Sequence, residues 1–259
     1  MESALDLKKN RLFIILCGIF ITNALLAEMI GVKIFSFEKT IGLNPANLNI
    51  LGFTMDFNLT AGVMIWPVVF ITTDLINEYF GKPGVKRISY LTAGLIAYVF
   101  IVVFLTMGLA PAEFWHYTKD ADGNTVNMDV AFNKIFGQGQ RIIIGSLTAF
   151  ILGQLIDVFA FQKIKKITSN KYLWLRATGS TLISQFVDSF VVLFIAFYGV
   201  FTNSQIVAIG ITNYIYKFLI AIALTPIIYL GHSIIDRYLG KEEAEKISAE
   251  ATEKSKGFF

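Results

Sequence analysis

Apolar residues run through this chain in stretches longer than a core helix or strand requires. Six of them, near residues 12–33, 58–80, 88–110, 141–162, 176–200 and 206–230, are long enough to carry a helix across a bilayer, which takes about 20 residues. The pattern predicts an all-α polytopic membrane protein with six transmembrane helices over residues 1–236, followed by a polar tail at 237–259. Between the first and second stretches the period drops to two. Phe35-Ser-Phe37-Glu38 and Phe53-Thr-Met55-Asp-Phe57-Asn-Leu59 alternate on either side of a Gly/Asn/Pro-rich segment, which predicts a β-hairpin in the first outer loop, packed over the outer mouth. In the second outer loop, Lys119 to Asn124 reads as a turn, and Val130, Phe132, Ile135 and Phe136 predict a short interfacial helix over 128–136. Pro67 and Pro226 fall inside predicted spans, where each should kink its helix. The tail from Lys241 alternates Glu and Lys and reads as a solvated helix without an apolar face.

Composition supports the membrane class. Of 259 residues, 55% are hydrophobic and only 16% charged, against roughly 25% charged in soluble domains, and the mean hydropathy is +0.62. The first stretch holds Asn23 and Glu28, lacks an Ala-x-Ala-like exit and runs too long for a cleaved signal. Lys8, Lys9 and Arg11, then Lys82, Lys86 and Arg87, then Lys163, Lys165, Lys166, Lys171 and Arg176, then Arg237 and Lys241 all fall on one side of this topology. By the positive-inside rule that side is cytoplasmic, and so are both termini. The net charge of +3 is this asymmetry surviving the sum and does not indicate nucleic acid. One cysteine, Cys17, and two histidines, His116 and His232, supply no metal-ligand spacing. No cofactor is expected.

The informative exceptions are polar groups inside the apolar runs. Asp74, Asn77 and Glu78 sit in the second stretch, Gln154 and Asp157 in the fourth, Gln185 and Asp188 in the fifth, and Asn213 and Lys217 in the sixth. Each set is spaced i, i+3 or i, i+4 and so shares a helix face. An ionisable group at membrane depth costs about 2.5–3.5 kcal/mol on insertion scales and normally faces a bundle interior or a wet cavity. These nine residues therefore predict a polar solute bound between helices. Other readings stay open. Glu78 could snorkel to the interface, the Gln residues could serve as helix–helix glue, and Lys217 could pair structurally with Asp188, Asp157 or Asp74 as readily as touch a ligand. Asn23 and Glu28 are secondary candidates. The Gln-x-x-Asp pattern occurs twice, in helices crossing in opposite directions, which leaves room for an inverted three-plus-three repeat.

Carboxylates, amides and abundant aromatics suit a planar, hydrogen-bond-rich heterocycle, because a carboxylate accepts two adjacent N–H groups as it does from Arg. The expected partners are that small molecule and the bilayer, with homo-oligomerisation left open. A Gly-x-x-x-x-Gly-Lys-Ser/Thr loop is missing, so the chain does not hydrolyse ATP alone. Transport is favoured over three rivals: a substrate-binding subunit of a separately energised uptake system, an intramembrane acid–base enzyme, and a structural protein.

Three segments resemble a known family. Thr73-Asp74-Leu-Ile-Asn77-Glu78-Tyr79-Phe80-Gly81 resembles an acidic motif of the queuosine precursor transporters, six-span bacterial proteins. Arg141-Ile-Ile-Ile-Gly-Ser146-Leu-Thr-Ala149-Phe with Gln154-Leu-Ile-Asp157 resembles their fourth span. Lys171-Tyr-Leu-Trp174-Leu-Arg176, Ser180-Thr181 and Gln185-Phe-Val-Asp188-Ser189 resemble the fifth. The similarity covers roughly residues 60–230. It implies import of 7-cyano- or 7-aminomethyl-7-deazaguanine, for queuosine synthesis in tRNA modification, through the bacterial inner membrane. The outer loop at 34–57 has no counterpart in that resemblance.

Overall fold

The computed structural model of the chain describes residues 4–137, 140–168 and 171–255. The first helix, α1 (Ala4–Ile30), buries Leu12, Leu16, Phe20 and Ala24 at four-residue intervals and leaves Ile14, Ile15 and Ile19 exposed. That is the stripe of a helix packed on one side and bathed in lipid on the other. Its partner is α3 (Trp66–Met107), whose Val69, Ile76, Val85 and Ile88 join the same core.

Helix α3 differs from the sequence expectation. Its 42 residues cover both the second and third predicted spans, and at 1.5 Å per residue they would reach ~63 Å as one rod, about twice a hydrocarbon core. It is broken at Gly81, with φ 66° and ψ −170°, a region essentially reserved for glycine. Pro83 follows and cannot donate to the preceding turn. Thr73 and Ser89 would stand ~24 Å apart in a straight helix, yet both hydroxyls donate to the one Oε1 of Gln154, at 3.2 and 3.4 Å. The two halves therefore fold back on each other at Gly81. Among the described residues, five helices are long and apolar enough to cross a membrane, namely α1, α3, α6 (Gln140–Ile167), α7 (Leu173–Phe197) and α8 (Asn203–Ala223). Six were expected; the shortfall arises because one glycine, and not a loop, separates two of them.

The prolines also behave differently from expectation. Pro67 lies in the first turn of α3, where its missing N–H costs nothing, so it starts the helix and does not kink it. The residues before it form β4 (Asn58–Thr60) and a single 3-10 turn. Pro226 goes beyond a kink: α8 ends at Ala223 and α9 (Thr225–Leu239) begins.

The loop between α1 and α3 holds short strand pairs and not the single hairpin expected. β1 (Ile34–Ser36) pairs antiparallel with β4, placing Phe35 opposite Leu59. Inside that pair, β2 (Leu48–Ile50) and β3 (Phe53–Met55) form a tight hairpin around Leu51 and Gly52, both at positive φ. The physical reason is Glu38 in the one-turn helix α2 (Phe37–Thr40), which turns inward and is only 4% exposed. Its carboxylate accepts from the Phe57 N–H at 2.8 Å, the Ala46 N–H at 3.4 Å and the Ser36 hydroxyl at 3.2 Å. Burial alone raises its pKa; these hydrogen bonds, led by the Phe57 N–H, outweigh that and hold the group below the usual glutamate range. The neighbouring Phe37 ring packs edge-on against Tyr216 of α8, centroids 5.4 Å apart. The second loop follows expectation: β5 (Tyr117–Lys119) and β6 (Thr125–Asn127) flank the turn, and α5 spans Met128–Phe136 with Asn127 as its cap.

α6 and α7 form the most extensive helix pair. Gly145 permits the approach, since a Cβ there would lie 3.1 Å from the Val192 carbonyl oxygen. The tail corrects the reading of a solvated helix. α10 (Lys241–Lys254) buries Ala244, Ile247, Ser248 and Ala251 against α3 and α9. A Cβ on Gly81 would sit 2.5 Å from the Ala251 carbonyl oxygen, and the Lys82 N–H donates to Ser255 Oγ at 2.9 Å. Lys9 lies 3.8 Å from Glu250, so the start of α1 and the last helix share one end of the bundle.

Candidate functional site

The first half of α3 points four polar residues inward, one turn apart: Thr73, Asp74, Asn77 and Glu78, all buried. Glu78 engages two cations and a hydroxyl through a single oxygen, Oε1. Lys165 Nζ of α6 stands 3.1 Å from its Oε1, Arg176 Nη2 of α7 donates at 3.0 Å, and Ser248 Oγ of α10 donates at 2.7 Å. Lys165 also donates to Ser248 Oγ at 2.9 Å, and Arg176 stacks over the Phe161 ring. Four helices thus meet at one carboxylate oxygen. Two cations and a hydroxyl on a buried acid compensate its lost hydration, and removing the acid would strand two buried positive charges. Snorkelling, the alternative for Glu78, does not describe this geometry.

The amides serve as internal fasteners. Gln154 Oε1 joins Thr73 and Ser89 across the fold of α3, and Gln162 Nε2 donates to Asn77 Oδ1 at 2.6 Å. Asp157 Oδ1 accepts from Ser184 Oγ at 3.2 Å, with Ser180 and Thr181 of α7 close by. Gln185 is buried with its Oε1 unpaired among the described residues. Near the C-terminal end of α1, Glu28 accepts from Ser146 Oγ through both oxygens, at 2.7 and 2.8 Å.

A cleft opens between the start of α3 and helices α7, α8 and α9, and Trp66, Phe70, Asp74, Thr181, Tyr216 and Lys217 line it. Trp66 and Phe70 stack nearly parallel, 17° between ring planes. The cavity volume is about 30 Å³, room for about two waters. Lys217 Nζ donates to Asp188 Oδ2 at 2.6 Å, which answers which carboxylate the midspan lysine uses. Asp74 is 1% exposed, and neither of its oxygens has a hydrogen-bond partner among the described residues.

The nine predicted residues therefore divide. Asp74 and Lys217 line the cleft, and Asp188 reaches it through Lys217. Asn77, Glu78, Gln154 and Asp157 are occupied by neighbouring side chains. Gln185 and Asn213 are outside the cleft lining, the latter half-buried one turn before Lys217. The sequence reading assigned Lys165 and Arg176 to topology and Ser248 to a solvated tail; all three are buried at Glu78. It also missed Tyr79, whose hydroxyl donates to Asp236 at 2.7 Å and lies 3.1 Å from His232 Nδ1.

Comparison with known proteins places this arrangement. Residues 60–231 match the family model described as "Putative vitamin uptake transporter". The chain is 30% identical over 193 residues to the "Probable queuosine precursor transporter" of Bacillus subtilis, covering 73% of this chain and 80% of that one. It is 30% identical over 208 residues to the "Queuosine precursor transporter" of Escherichia coli, covering 75% and 83%. Its identity to the Haemophilus influenzae protein named "Probable queuosine precursor transporter" is 28% over 222 residues, covering 82% and 84%. No solved structure matches. On the extent of these matches and the buried polar helices they include, the chain belongs to the queuosine precursor transporter family.

Proposed function

We propose that this chain imports a 7-deazaguanine queuosine precursor, 7-cyano- or 7-aminomethyl-7-deazaguanine, across the bacterial inner membrane. The observation that carries the reading is the unpartnered, buried Asp74 facing a cleft walled by Trp66, Phe70 and Tyr216 within an apolar bundle. Flat rings stack on such walls, and the relatives' names supply the substrate class. The cleft is narrow, and a bicyclic base enters it when the walls part. The break between α8 and α9, whose Leu224 lines the cleft, is a joint at which those walls can part.

Counting the halves of α3 as separate crossings gives six passes. The end that gathers Lys9, Lys82, Lys165 and α10 is cytoplasmic by its basic residues. The test is uptake of labelled 7-cyano- and 7-aminomethyl-7-deazaguanine into liposomes holding only this chain, with and without an imposed proton gradient. Accumulation above protein-free liposomes is expected under at least one condition. None, with the ligand still stabilising the detergent-solubilised protein, would make the chain a binding subunit that needs a separate energising complex.

A further inference from the structure

Asp74 stands apart from every other acid in the described interior. Glu78 holds Lys165, Arg176 and Ser248; Asp188 holds Lys217; Asp157 holds Ser184; Glu28 holds Ser146. Asp74 alone combines near-total burial, two orphaned oxygens and a place in the cleft lining. Buried polar atoms in native proteins are nearly always paired, and an unmet acceptor pair in an apolar pocket costs stability. The donors that complete it are therefore brought by the ligand.

We infer that Asp74 sets substrate selectivity, its carboxylate taking two parallel hydrogen bonds from a ring N–H and an adjacent exocyclic N–H. A carboxylate is acceptor-only, with two oxygens set for two neighbouring donors. The 2-amino-4-oxopyrimidine edge of a guanine-type ring presents that pair, followed by a carbonyl. Lys217, which lines the same cleft, spends one N–H on Asp188 and keeps two for that carbonyl. A guanidinium ligand has the donor pair but lacks the carbonyl, and it meets the positive charge of Lys217. This inference rests on the cleft being the substrate site.

The test is thermal stabilisation of the full chain in detergent by 7-deazaguanine, 7-deazahypoxanthine and 7-deazaxanthine. The wild-type protein should prefer 7-deazaguanine to the other two by roughly 10–100-fold, the discrimination one good bidentate pair provides. Asp74→Asn replaces one acceptor with a donor, so it should lose 7-deazaguanine and gain 7-deazaxanthine, whose 2-oxo group accepts where the 2-amino group donated. A purely structural Asp74 would weaken all three ligands alike in the variant, and that result overturns the inference. Equal affinity of the wild-type protein for 7-deazaguanine and 7-deazahypoxanthine overturns it without any variant. Stabilisation by none of the three sinks the substrate reading itself, a different failure from stabilisation without preference.

Discussion

Asp74 and Glu78 lie one turn apart on one helix, equally buried, and they have opposite surroundings. Glu78 faces two cations and a hydroxyl drawn from α6, α7 and α10; Asp74 lines a cleft and has no hydrogen-bond partner among the described residues. The first is an acid gripped through one oxygen by side chains from three other helices. The second has no hydrogen-bond partner among the described residues. A buried carboxylate in a membrane bundle is therefore neither structural nor functional by burial alone; the groups opposite it decide.

The largest effect should separate them directly. Glu78→Gln strands Lys165 and Arg176 in the interior and should cost about 3–5 kcal/mol of stability, measured by unfolding of the detergent-solubilised protein. Asp74→Asn removes no hydrogen bond inside the protein and should leave the unfolding midpoint nearly unchanged. Equal losses from both would erase the distinction. Next comes the fold-back that brings the two acids' helix into this position. Gly81→Ala forces a side chain into a glycine-only conformation and against the Ala251 carbonyl, at a cost of about 1–3 kcal/mol or more. Gly94→Ala, in the same helix with open space around it, is the control and should be neutral or stabilising.

The smallest effect concerns a third buried acid, Glu38, satisfied like Glu78 but by backbone and not by charge. Its folded pKa is depressed, so its stabilising contribution is complete above the ordinary glutamate value and is lost as pH falls through the folded one. Below about pH 4 the outer loop should become more open to proteases, while Glu38→Gln should flatten that acid dependence. A loop equally resistant at about pH 3.5 and about pH 7 would place Glu38 outside the loop's stability.

Much of the architecture was legible where it depends on local pattern. Met128–Phe136 forms the helix its apolar spacing predicts, started by an Asn cap, and the interior residues Asp74, Gln154, Asp157 and Gln185 are indeed buried. What stayed hidden depends on which distant groups face each other. Gly81-Lys-Pro83 reads as a connecting loop, because sequence spacing does not reveal that a single residue suffices for the turn. Lys165 and Arg176 read as topological signals at helix ends, and nothing local shows that both reach one acid. In the tail, Ala244, Ile247, Ser248 and Ala251 recur at i, i+3, i+4 and i+7, a helical face visible in retrospect but masked by the surrounding Glu and Lys. The same logic divides the candidate site: spacing identified the inward faces, while the pairing of Lys217 with Asp188 and the isolation of Asp74 arise only when the helices assemble.

The contact of Ser255 and Ala251 with Gly81 and Lys82 ties the far end of the polypeptide to the elbow of its longest helix. An elbow clasped from outside does not flex on its own: any swing of one forearm against the other drags the clasp or throws it off. Force or a binding partner applied to the final helix is thereby felt at the joint.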